Sequence, residues 1–210
     1  MQLWSHEATK DALKQDAPHQ NDEAQALREV LGSKSTAGDE PHTPLPSPPT
    51  PVALCGKTEQ IGRGVIAGLK PEYEGKPPVA NTPPKVTHFV TSPTSGAVIL
   101  PALLASRPPP PHPETSTIGS GNYAAAPRAV VLGGAFDDAA TAALREAVAG
   151  ARAQSAGVRK VPWLRQDSSK PAPPLGPEYG KAMVVRVKEA LARLQGEGKL
   201  DGGYEGDEWY

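Results

Sequence analysis

Apolar residues fall in four short bursts along the chain, and each burst runs into a segment with helical spacing. The clearest lies between Arg128 and Gly150. Ala129-Val130-Val131-Leu132 is an unbroken apolar run, as expected of a strand covered on both faces. Gly133-Gly134-Ala135 then makes a tight turn, and a helix opens at Asp137, whose carboxylate can accept from the free amides of the first turn. Strand, turn and helix in that order are half of a βαβ unit. Ala140, Leu144, Ala147 and Val148 mark the helix face that turns inward.

The other bursts repeat the plan. Val52-Ala53-Leu54-Cys55-Gly56 leads into Ile61, Val65, Ile66 and Leu69, which share one helical face, and Pro71 ends that helix. Val86-Thr87-His88-Phe89-Val90-Thr91 is rich in β-branched and aromatic residues and reads as a strand. A helix starting within Ser92 to Ser95 carries Val98, Ile99, Ala102 and Leu103, with Pro101 either kinking it or marking its first turn. Arg107 to Pro127 reads as a long, flexible loop. Val158 to Leu164 is the fourth strand, and Pro162 argues for a sheet edge. The most regular helix opens at Pro177, with Val184, Val187, Leu191 and Leu194 on one side and Lys181, Lys188, Glu189 and Arg193 on the other. Gly196 and Gly198 end it.

Strands alternating with helices predict an α/β fold, a small three-layer Rossmann-like or flavodoxin-like domain with a short, mostly parallel sheet. It spans residues 51–198. Residues 1–50 form a Pro-rich arm expected to be disordered, with one short helix over Asn21 to Leu31, and residues 199–210 form a polar tail. Gly75 to Pro84 reads as a surface excursion.

Composition narrows the function more by exclusion than by indication. With 22 Lys and Arg against 23 Asp and Glu the formal net charge is −1, which supplies no basic field for a nucleic-acid backbone. Cys55 is the sole cysteine, so no intrachain disulfide forms, and the five histidines lie too far apart in the sequence for a zinc site. Met1 to Glu7 lacks the basic and apolar regions of a leader, and no apolar run approaches the roughly 20 residues that span a bilayer. The expectation is a soluble cytoplasmic protein with a small-molecule ligand and neither nucleic-acid nor membrane partners.

Candidate chemistry gathers at three turns. Gly56 and Gly62 have the outer spacing of a G-x-x-G-x-x-G dinucleotide turn, with Lys57 and Thr58 beside them, which makes NAD(P) a candidate cofactor. The middle glycine position is Glu59, whose carboxylate adds bulk and repulsion where a pyrophosphate would sit. The second strand ends in Thr91 and Ser92, without the acidic residue that holds a ribose. Gly56-Lys57-Thr58 also has the ending of a P-loop, but an apolar strand precedes it where a loop of free amides is required. Neither Tyr73 nor Tyr179 has a Lys four residues later, which leaves out the dyad of short-chain dehydrogenases.

At the second turn, Gly133 and Gly134 precede Asp137 and Asp138, which suit a helix start better than a metal. In the third, Arg165, Asp167, Ser168, Ser169 and Lys170 follow a strand end, where open α/β sheets place ligands, and Arg165 and Lys170 could meet an anion. Cys55 reads as a small buried hydrophobe, His88 as a packed side chain, and Gly119-Ser120-Gly121 as loop.

Val161-Pro162-Trp163-Leu164-Arg165-Gln166-Asp167-Ser168-Ser169-Lys170-Pro171, continuing through Pro174-Leu175-Gly176-Pro177-Glu178-Tyr179-Gly180-Lys181, resembles small uncharacterised fungal Rossmann-like α/β proteins. The resemblance extends to Ile118-Gly119-Ser120-Gly121-Asn122-Tyr123 and to Gly68-Leu69-Lys70-Pro71-Glu72-Tyr73, about two-thirds of the chain. It implies a single α/β domain and transfers no catalytic residue. The leading expectation is a protein that binds a nucleotide or similar metabolite at the strand ends, an accessory protein in specialised metabolism. The alternative is a non-catalytic interaction module with a degenerate nucleotide site. The turn from Gly56 to Gly62 separates them, being open in the first and collapsed in the second.

Overall fold

In a computed structural model of the protein, residues 49–70 and 84–210 are described. The helix expected over 21–31, the Pro-rich arm and most of the 75–84 excursion lie outside the described residues.

Each expected strand and helix between Thr50 and Gly196 forms. They are β1 (Thr50–Cys55), α1 (Glu59–Leu69), β2 (Pro84–Val90), α2 (Pro93–Leu104), β3 (Val130–Leu132), α3 (Asp138–Gln154), β4 (Trp163–Arg165) and α4 (Pro177–Gly196). A fifth strand, β5 (Asp207–Trp209), comes from the segment read as a polar tail. The strands pair in parallel in the order β2-β1-β3-β4-β5, the flavodoxin-like doubly wound order.

Alternation along the strands builds two cores. Val52, Leu54, Val131 and Leu164 face α1 and α4, whereas Ala53, Cys55, Val130, Leu132 and Trp163 face α2 and α3. The α4 stripe is buried as its spacing predicts, with Met183 and Ala190 added. Two helices are rotated from their expected faces. Ile61 is half exposed because Gly62 is the position that meets the sheet, and a Cβ there would come within 2.7 Å of the Phe89 ring. In α2, Leu100 and Leu104 take core places while Val98 is exposed. Pro101 lies well inside α2, which continues past it.

Two expectations about edges are corrected. β4 lies inside the sheet between β3 and β5, because Pro162 precedes the ladder and contributes only its carbonyl, accepting from the Val130 amide at 3.1 Å. The segment 107–127 forms neither helix nor strand, yet it is not loose. It runs along the outer edge of β2: Phe89 donates to Ile118 O at 3.2 Å, and Ser120 and Gly121 donate to Val86 O and Thr87 O. Gly119 sits at φ 127°, and a Cβ there would meet Thr87 O at 2.6 Å, so only glycine fits this strap. Covering a free edge in this way removes a template for aggregation.

β5 is fastened to α4 by a buried carboxylate. Glu208 accepts from Tyr204 Oη at 2.8 Å, Lys199 Nζ at 2.9 Å and Arg193 Nη1 at 3.1 Å. Burial alone would raise its pKa, but the three donors outweigh burial and hold it below its ordinary value of 4.5. A carboxylate whose folded pKa is depressed stabilises the fold above its unfolded pKa, and that contribution is lost as pH falls through the folded value. Glu208→Gln is therefore expected to lower the urea midpoint at pH 7 and to cost much less near pH 3. An equal loss at both pH values would show that shape, not charge, fastens the strand.

Candidate functional site

Open α/β sheets bind ligands beyond the carboxyl ends of their strands, beside the point where strand order reverses. Here the reversal lies between β1 and β3. The β1 half of that edge is occupied by the protein itself. Thr58 caps α1, accepting from the Ile61 amide at 3.4 Å. Glu59, in the first turn, accepts from Ser116 Oγ at 2.7 Å and Arg63 Nη2 at 3.0 Å. The Ser116 bond is the main reason its carboxyl is held below the usual range. The Phe89 ring fills the space beside both Gly56 and Gly62, where a Cβ would lie 3.1 Å and 2.7 Å from it. Lys57 projects into solvent. Glu114 ties the same strap to the N-terminus of α2, its backbone accepting from Thr91 Oγ1 at 2.9 Å and its carboxylate accepting from Ser92 Oγ.

Between these turns the switch point is closed by backbone. Gly133 donates to Cys55 O at 2.8 Å, and a Cβ on Gly133 would be 3.1 Å from the same oxygen. The edge is open over β3, β4 and β5, in a cleft of about 400 Å³ lined by Gly133, Gly134, Phe136, Arg165, Gln166 and Trp209 among others. Asp137 spends its carboxylate on the α3 cap, accepting from the Ala140 amide at 2.8 Å.

Arg165 is the most elaborated group in the cleft. Its guanidinium lies over the Trp209 ring, 4.8 Å from the centroid, a cation–π arrangement. Nη2 bonds Asp138 Oδ1, and Nη1 is 3.8 Å from Asp207 Oδ2. The Arg165 side chain is 15% exposed, whereas that of Asp138 is 91% exposed, so the partner is far less held than the cation. Gln166 Oε1 accepts from Tyr179 Oη at 2.7 Å, which links the cleft to the first turn of α4 and leaves the Gln166 amide nitrogen as a donor. A side chain on Gly134 would strike Gln166 Oε1 at 2.5 Å.

Tyr210 ties together β3, β4 and the loop after β4. Its phenol donates to Leu132 O at 2.8 Å, its amide to Arg165 O at 3.0 Å, and its carbonyl accepts from Asp167 N at 2.9 Å. Burial pushes the phenol pKa well above its usual value, so the group stays a donor.

The chain is 33% identical over 153 residues to "Kojic acid related protein 6" of Aspergillus oryzae (strain ATCC 42149 / RIB 40), an alignment spanning 72% of this chain and 81% of that protein. It belongs to the family of that fungal protein. No family model matches it, and no solved structure matches it.

Of the residues singled out in the sequence, Gly133, Gly134, Asp137, Asp138, Arg165 and Ser168 come together in the cleft. Gly56, Lys57, Thr58 and Gly62 lie at the separate β1 turn. Lys170 turns to Asp167 at 3.7 Å, and that carboxylate also takes the Ser169 amide and hydroxyl. Trp209, Asp207 and Gln166 were not expected in a site. The one signal for Trp209 was a pair of adjacent aromatics, Trp209-Tyr210, in an otherwise polar segment. Cys55 is buried with its thiol pKa pushed up by burial, and His88 is buried with Tyr123 Oη 3.1 Å from Nδ1, so both are packed side chains. Among the described residues no group of three His, Cys, Asp or Glu is placed to hold a metal, and no helix is long and apolar enough to cross a membrane.

Proposed function

We propose that this protein binds a small metabolite in the cleft at the carboxyl ends of β3, β4 and β5, in the service of fungal specialised metabolism. One observation carries the reading: a nearly buried arginine, stacked on a half-exposed tryptophan, faces a glycine turn at the strand edge where α/β sheets take ligands. The metabolic setting draws on the relative, whose name ties that protein to kojic acid. About 400 Å³ is near the small end of ligand sites, which favours a single ring or a mononucleotide over a dinucleotide.

A second reading, an interaction module with a degenerate nucleotide site, draws on the filled turn between Gly56 and Gly62. A thermal-shift panel of NADP⁺, FMN, ATP and kojic acid with the full chain separates the two. A ligand at 100 times its dissociation constant stabilises by about 2.7 kcal/mol, a rise of roughly 5–10 °C for a domain of this size. At least one compound is expected to raise the melting temperature. A silent panel contradicts the binding proposal and favours the interaction module.

A further inference from the structure

We infer that the cleft selects a small carboxylate, whose anionic group displaces Asp138 from Arg165 while its apolar body lies beside Trp209 and the Gly133-Gly134 turn. The inference rests on the cleft being the binding site, as proposed above, and adds the chemistry of what enters it.

The argument is one of charge and restraint. Arg165 and Arg145 share Asp207, at 3.8 Å and 3.4 Å, so two cations face one fixed carboxylate. Both are anchored by aromatic rings, Arg165 over Trp209 at 4.8 Å and Arg145 over Trp163 at 5.6 Å. Asp137 is committed to the helix cap. Asp138 is the carboxylate that contacts Arg165 Nη2, and it does so from an almost fully exposed side chain. The Asp138 end of the pair is solvated, so water can take over its carboxylate when another displaces it. The guanidinium itself is held in place by stacking, and its planar fork matches a carboxylate. Asp138 thus occupies the position a ligand carboxylate would take. Gln166, its carbonyl held by Tyr179, offers an amide donor at the same wall. The cleft of about 400 Å³ has space for a small ligand body beside Trp209.

Benzoate and its neutral counterpart benzamide test this with the full chain. Amide and indole resonances of Gly133, Gly134 and Trp209 are followed by NMR during titration, with Trp209→Phe assigning the indole. Benzoate is expected to move them with at least about tenfold tighter binding than benzamide. Asp138→Asn removes the internal competitor and is expected to tighten benzoate about two- to fivefold while leaving benzamide unchanged. Glu146→Gln, an exposed charge change on the same helix, is expected to alter neither. Equal binding of the two probes, no gain in Asp138→Asn, or the same gain in Glu146→Gln overturns the inference. If benzoate is silent while a compound of the thermal panel binds, only the carboxylate class falls. If all are silent, the cleft reading falls with it.

Discussion

Leu191→Ala is expected to lower stability by about 2–5 kcal/mol, while Lys188→Ala on the outer face changes it by less than about 0.5 kcal/mol. Leu191 is 5% exposed in the middle of the α4 stripe, which together with α1 covers one whole face of the sheet. The two helices approach closely, since a Cβ on Gly68 would meet Val184 Cγ2 at 2.8 Å. A cavity left in this packed face collapses only partly, which adds to the lost burial. Total stabilities of domains are roughly 5–15 kcal/mol, so the loss is a large share. Urea unfolding of the two variants checks it, and similar losses in both would mean that the stripe is not the main cover of that face.

Tyr210→Ala is expected to cost about 3–5 kcal/mol and to disorder the cleft as well. The side chain is 4% exposed and packs into the α1/α4 core. Its phenol is the partner of the Leu132 carbonyl, so truncation also strands a buried acceptor, adding about 1–3 kcal/mol unless water enters. Tyr210→Phe keeps the ring but strands the same carbonyl, and is expected to lose about 1–3 kcal/mol. The backbone of Tyr210 holds Arg165 and Asp167, so Tyr210→Ala should broaden the Trp209 and Gly134 resonances while Tyr210→Phe leaves them sharp. Stability loss with an unchanged cleft spectrum would separate Tyr210 from the site.

Much of the framework was legible because burial wrote it into local pattern. Ala129 to Leu132 is covered on both faces and is apolar throughout, and the α4 stripe repeats at helical spacing. β5 was illegible for the opposite reason. Asp207-Glu208-Trp209 is three residues long, and its buried member is a carboxylate held by Arg193, Lys199 and Tyr204, which sequence alone presents as a solvated charge. The strap over β2 was illegible because its bonds to β2 run mostly through backbone atoms, although Gly119 was its visible trace.

The site divides in the same way. Gly133, Gly134 and Arg165 were readable as strand-end residues. Trp209 comes to Arg165 only through the pairing of β5 with β4, a contact that no spacing encodes. The glycines at 56 and 62 looked like a phosphate turn because that motif and close helix–strand packing ask for the same residue. Here both glycines lie against Phe89, and Glu59 ties the helix start to Ser116.

The central claim is that ligands enter over β3, β4 and β5, not at the β1 turn. Its most direct test is an amide map of the isotopically labelled full chain with NADP⁺, FMN, ATP and kojic acid in turn. The account predicts shifts clustered at Gly133, Gly134, Gln166 and Trp209. Shifts confined to Gly56, Lys57, Thr58 and Gly62 would contradict it.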